Sequence, residues 1–213
     1  MKELAIVSLK YLEDEYRQTV NCLSGQSYDV FYADRDYVGN MARAFNDAFI
    51  KHIKGKYKAV WFISNITFDS QVPHKLFNNL ISNNLAAIHP AFPSDHKHIQ
   101  PDGSGLVKLV NFVEFTAPMF LCEHFEKFML DDNCWYYWFD LIISKELREN
   151  GYKMGVDHGT QIQHVYLRNK KQRPRISAIR SELRDKIINP LNEKYMRDKY
   201  GKNWKEEIWL KWR

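Results

Sequence analysis

Asp140 lies in the run CWYYWFDLIIS, residues 134–144, where every other side chain is aromatic, aliphatic or small. A carboxylate buried without partners is costly to desolvate. An acid in this setting either caps a helix or faces a cleft where its charge is used. Helical spacing puts Tyr136, Asp140, Ile143 and Leu147 on one stripe. As a cap, Asp140 would hold the first amides of a helix running through LIISKEL. As a general base, it would have its pKa adjusted by the apolar surround and would take the proton of an attacking hydroxyl. The two roles are compatible.

Other polar residues stand directly after apolar runs. Ser8 closes LAIVS, Asp34 and Asp36 follow YDVFYA, and the stretch Ser64–Asp69 follows KAVWFI. Asp34 and Asp36 suit a turn, and equally suit donors on a nucleotide base or ribose. Arg43 sits near the start of a helical pattern, where it is either a solvated side chain or a phosphate contact. His164 lies between Gln163 and Val165 in an alternating run. It reads either as a hydrogen-bonded strand histidine or as a ligand: neutral imidazole suits a transition metal, and the protonated ring suits a diphosphate. His96, His98 and His158 have no metal-site spacing and read as surface histidines. Trp135, Tyr136, Tyr137 and Trp138 read as core, with stacking on a sugar or base as the functional alternative.

These residues need a frame. LAIVSL (4–9), YDVFYAD (28–34), KAVWFIS (58–64) and LAAIHPA (85–91) read as strands, and helical patterns over 13–23, 39–53 and 73–82 separate them. Such alternation implies a mainly parallel sheet between helical layers, with ligands bound beyond the strands' carboxyl ends. The alternation then stops. Residues 106–121 read as antiparallel strands at the sheet's far edge, 122–129 as a short helix, and 152–157 and 161–167 as two short strands. From Arg168 the chain turns polar, basic and helical.

Composition sets outer bounds. The 213 residues are 45% hydrophobic, 27% charged and 15% aromatic, ordinary for a globular protein apart from the aromatics. A net charge of +5 and a pI near 8.9 suit an anionic partner without establishing one. The basic excess concentrates in RNKKQRPR, residues 168–175. Cys22, Cys122 and Cys134 fit no zinc spacing and read as reduced, buried thiols of a cytoplasmic protein. No apolar run reaches the length of a membrane span, and charge interrupts the N-terminal segment too early for a signal peptide.

The order of these pieces resembles a known family. The strand ending in Ser8, the strand ending in Asp34, GNMARAFNDAF, YKAVWFISNITFD, VEFTAPMFL, WYYWFDLIISKELRENGYK and VDHGTQIQHV are together similar to GT-A fold, nucleotide-sugar glycosyltransferases of the inverting family 2, rhamnosyltransferase-like group. The resemblance implies a three-layer α/β/α sandwich with a mainly parallel central sheet and antiparallel edge strands. It implies a domain at 1–167 with a basic helical segment, 168–213, packed on it. It places Asp140 at the family's general base, with Phe139 and Ile142 where the family has further acids. It assigns Ser8, Asp34, Asp36, Arg43 and Asn65 to the donor nucleotide, and a metal or diphosphate contact to His164. The family's metal-binding Asp falls on Ile66 here. A manganese or magnesium ion would then depend on Asp69 and His164.

The function this implies is inverting transfer of a sugar from a nucleotide-sugar donor to a hydroxyl acceptor. The basic C-terminal segment and the absence of a membrane span suit hydroxymethylated bases of viral DNA (a DNA-modification role), and suit a bacterial surface glycan as well. The alternative is a non-catalytic GT-A-like module that binds nucleotide sugars, as the missing acids at 66, 139 and 142 would allow.

Overall fold

The computed structural model describes all residues except 11–12, 26, 35–39, 94–96, 136–137, 166–181 and 211–213. The expectations for Asp36, His96, Tyr136, Tyr137 and the basic run 168–175 lie outside the described residues. Eight strands form the sheet: β1 (Lys2–Lys10), β2 (Asp29–Asp34), β3 (Tyr57–Ile63), β4 (Ile66–Phe68), β5 (Ala87–Ala91), β6 (Val107–Val110), β7 (Met119–Leu121) and β8 (Met154–His164). Their order is β2-β1-β3-β7-β5-β8-β4, with β6 also paired to β8. β2, β1, β3, β5 and β8 run one way, and β7, β4 and β6 run against them.

Residue type explains the layers. Leu4 to Leu9 of β1 are buried without interruption, the pattern of a strand covered on both faces. One face carries α2 (Met41–Ala48, continued by a wider turn, Phe49–Ile53), α4 (Cys122–Phe128), α5 (Phe139–Glu149) and the C-terminal α6 (Asn189–Tyr200). Phe45, Phe49, Phe125, Ile143, Leu147 and Met196 fill that core. The other face carries α1 (Glu13–Leu23) and α3 (Val72–Ser82), where Leu23, Leu76, Phe77 and Leu80 pack with Trp61 and Ile88. Asn40 caps α2, its side chain accepting the Arg43 amide at 2.9 Å. Pro73 opens α3, where a missing N–H costs nothing.

Three details differ from the sequence reading. β7 lies inside the sheet between β3 and β5, and only β6 takes an outer position. Residues 154–164 form one strand, and its pairing with β5 shifts register between Pro90 and Ala91. Gly159, within this strand, is a close packing point: a Cβ there would stand 2.9 Å from the Gly105 carbonyl oxygen. Among the described residues, no helix is long and apolar enough to cross a membrane.

Candidate active site

The carboxyl ends of β1, β2, β3 and β5 share one edge of the sheet, and Ser8, Asp34 and Asn65 lie in or just after the strands that reach it. Ser8 is fully buried in β1, in register with Tyr32 and Ile63, and its hydroxyl oxygen has no hydrogen-bond partner among the described residues. Asp34 ends β2, exposed and in register with Lys10. Asn65 follows β3 with φ 50°, the left-handed region that Asn tolerates, and its carbonyl accepts the Val165 amide at 2.7 Å. Arg43 is exposed, and its Nε is 3.3 Å from Asp132 Oδ2.

Asp140 occupies the first turn of α5, two positions after Trp138, which caps the helix with φ 76°. The N-cap expected at Asp140 is therefore Trp138, yet the carboxylate still serves the helix start. Asp140 Oδ1 accepts the Leu141 amide at 2.9 Å. Burial first, then the neighbouring Glu114 carboxylate, raise its pKa to about 7 against the pull of the amides of Leu141, Asp140 and Phe115. A carboxyl poised there has the proton affinity a base needs near neutral pH.

The segment 111–118 holds this acid in place. The Arg148 guanidinium donates to the Asn111 carbonyl at 2.6 Å, the Val113 amide donates to Ser144 Oγ at 3.2 Å, and Phe115 packs edge-on against Phe139 at 5.3 Å. Asn111, Val113 and Phe115 thus meet Arg148, Ser144 and Phe139, residues four and then five apart along α5. The Thr116 hydroxyl donates to Glu114 Oε1 at 2.8 Å. The Thr116 carbonyl accepts the Ser64 amide at 3.1 Å, which joins the acid to the end of β3. The sequence reading missed Glu114, Thr116 and Ser144. The signal that picked out Asp140, an acid inside an apolar run, is present at Glu114 in NFVEFTAP.

His164 ends β8 directly opposite Ile66 of β4. Burial lowers its pKa to about 4, so the ring of the free protein is neutral at pH 7. His158 is buried rather than on the surface, with Nδ1 3.4 Å from Asp102 Oδ1. His98 is half-buried against Phe112, at 5.8 Å between rings. Trp135 and Trp138 are half-buried, and Trp138 packs edge-on against Trp204 at 4.9 Å, which is a packing role.

A divalent ion on a sugar diphosphate wants carboxylate and other hard oxygen ligands. Ile66 offers a buried hydrocarbon. Asp69 lies past the β4–β8 ladder, about 10 Å of strand from His164 at 3.3 Å per residue, and its Oδ1 accepts the Gln71 amide at 2.9 Å. Among the described residues, no three His, Cys, Asp or Glu side chains converge as a metal site. Among the described residues, Asp69 and His164 do not come together to hold the ion. Asp69 instead stands between two open clefts, one of about 360 Å³ shared with Thr67, Pro93 and Gln161–Gln163, the other of about 260 Å³ shared with Gln71, Lys75 and Thr160.

No protein-family profile and no curated protein matches the sequence. Among solved structures, the chain is similar to residues 1–349 of TarS from S. aureus, with a TM-score of 0.56 at 7% identity. The likeness covers 76% of this chain and spans only 60% of the TarS chain. At that identity the likeness concerns fold. The layers, the sheet and the neighbour define a layered α/β fold with a mainly parallel sheet, of the GT-A type.

Proposed function

We propose that the protein is an inverting glycosyltransferase using a nucleotide-sugar donor and a hydroxyl acceptor. The observation that carries this reading is Asp140: a carboxyl with its pKa near 7, at a helix start joined through Phe115, Thr116 and Ser64 to the strand ends where GT-A folds bind ligands. The acceptor oxygen attacks the anomeric carbon as Asp140 takes its proton. The new C–O bond forms while the sugar–phosphate bond breaks, and the nucleoside diphosphate leaves with the electron pair. Asp34 and Asn65 line the edge where the nucleotide would lie, and Ser8 is fully buried in the strand that leads to it. No step is routed through a metal.

The fold and the motif order support glycosyl transfer. The acceptor rests on less: the DNA reading depended on residues 168–175, outside the described residues, so the proposal stops at a hydroxyl. A panel of nucleotide sugars, assayed for nucleoside diphosphate release and for binding, tests it. Failure of every donor both to bind and to turn over would end the proposal. The buried Ile66 and Ile142 favour a second reading, a binding module without catalysis. Asp140→Asn separates the two: an enzyme loses turnover and keeps donor affinity, and a binding module is indifferent.

A further inference from the structure

We propose that the outer face of the β4–β8 ribbon is a binding site for an uncharged saccharide. As a site it stands on its own residues; as the class of acceptor it rests on the glycosyl-transfer reading above. β4 and β8 pair with Ile66 opposite His164, Thr67 opposite Gln163 and Phe68 opposite Ile162. Side chains alternate along each strand, which divides these residues between two faces. Ile66, Phe68 and Ile162 pack into the core with Trp61, and His164 stacks on Phe92 of that core at 6.5 Å between ring centres. Thr67, Gln161 and Gln163 take the other face, and both glutamines are exposed. Two clefts lie along that face, of about 360 and 260 Å³, and they share Asp69 and Gln161. The larger is at the small end of the roughly 300–1,000 Å³ of small-molecule sites. The shared lining suits a short chain of sugar units better than one compact metabolite.

The chemistry of the lining selects the ligand. Among the described residues, neither glutamine amide has a hydrogen-bond partner, and Asp69 spends only Oδ1, on the Gln71 amide. A primary amide both donates and accepts, a carboxylate only accepts, and the Thr67 hydroxyl does both. The matching ligand presents donors and acceptors on the same small groups, as sugar hydroxyls do. A phosphate only accepts and would face the Asp69 charge. A cation has no acceptor for the amide N–H groups. Pro93 and the half-buried Phe68 add apolar surface for the C–H face of a sugar ring. Asp69 and Lys75 are the charged residues of the two linings and offset one another, so a nucleic acid finds no cationic track here. The ribbon also begins close to the candidate active site. The Ser64 amide is bonded to the Thr116 carbonyl, and Thr67 follows Ser64 by three residues, no more than about 11 Å of chain. Units of an acceptor glycan next to its reacting hydroxyl would rest there.

The test is a proton–nitrogen-15 NMR titration of the full chain. The side-chain amide signals of Gln161 and Gln163 are assigned by their loss in Gln161→Ala and Gln163→Ala, and both positions are exposed, so both variants keep the fold. The probes are maltotriose, cellotriose, mannotriose and chitotriose, with a short DNA duplex and inorganic phosphate beside them. At least one trisaccharide should shift both amide signals saturably. Gln163→Ala should weaken that binding on the order of 5–10-fold, the loss of about one hydrogen bond. Amide signals unmoved by every trisaccharide overturn the proposal. So does a trisaccharide Kd unchanged in both alanine variants, which places the sugar elsewhere. Shifts from the duplex or from phosphate, with none from a trisaccharide, overturn it in favour of an anion site. The titration uses no donor, so the two readings fail separately. A trisaccharide bound by a protein that turns over no nucleotide sugar keeps the site and removes the glycosyltransferase. An active enzyme whose glutamine amides ignore every trisaccharide does the reverse. Where activity is present, Gln163→Ala should raise acceptor KM by the same factor while donor KM stays constant.

Discussion

Asp140 carries opposite consequences for activity and for stability. As a base it must be ionised, so kcat/KM should rise through about pH 7, the value burial and Glu114 give it, and level off above. Asp140→Asn should lower kcat by about 10²–10⁴-fold, the usual contribution of a positioned base, with little change in donor affinity. Stability runs the other way. A carboxyl that keeps its proton to about pH 7 folded and to about 4 unfolded favours the fold below pH 4, and that contribution is lost as pH rises through 7. The gap is worth at most about 4 kcal/mol, so Asp140→Asn should be the more stable protein in urea at pH 8. The buried histidines have the reverse sign. Burial lowers His164 to about 4 and His89 to about 3, below the unfolded value. Their contribution is present above about pH 6.5 and fades as pH falls toward 4. In the Asp140→Asn background, where the carboxyl no longer compensates, urea midpoints should fall steadily from pH 7 to pH 4. A flat profile there would contradict the assignment of both rings as neutral.

At the scale of elements, the start of α5 is held from outside the sheet. Trp138 adopts φ 76°, a conformation a bulky side chain takes only where packing imposes it. Trp204, from the C-terminal helical segment, packs on that ring, and Asp131 on the preceding loop accepts Tyr195 at 2.6 Å and Lys199 at 2.7 Å from α6. Trp204→Ala should therefore cost about 3–5 kcal/mol and release the first turn of α5. Hydrogen exchange should show Leu141 and Ile142 losing protection before β1 does. The elements that proved legible in the sequence are those with clear apolar runs or helical spacing: β1, β2, β3 and β5, and α1 to α4. The illegible ones were short or defined by partners. β4 has three residues and exists because β8 pairs with it. β7 also has three, and no local pattern says that it enters the middle of the sheet. The two short strands read at 152–157 and 161–167 are one strand, and the Gly105 backbone that packs on Gly159 between them is distant in sequence.

At the scale of the whole molecule, strand order decides which residues can cooperate. Three parallel strands bring Ser8, Asp34 and Asn65 to one edge, and the reversal through β7 brings 111–118 and α5 to the same edge. The register of β4 on β8 bears on where a metal ligand could come from. It sets Ile66 opposite His164 and leaves Asp69 beyond the ladder, committed to the start of α3. Sequence could show that an acid was missing at 66. Only the pairing shows that the nearest candidate lies too far along the strand to replace it. Charge on a leaving diphosphate must then be met by amides and cations of the protein, which act without exchangeable ions. Turnover should therefore be unchanged by excess chelator and by added manganese or magnesium, and Asp69→Ala should leave that insensitivity intact. Activity abolished by chelator and restored by either ion would show that another arrangement of ligands forms around the bound donor, and loss of that rescue in Asp69→Ala would identify Asp69 as one of them.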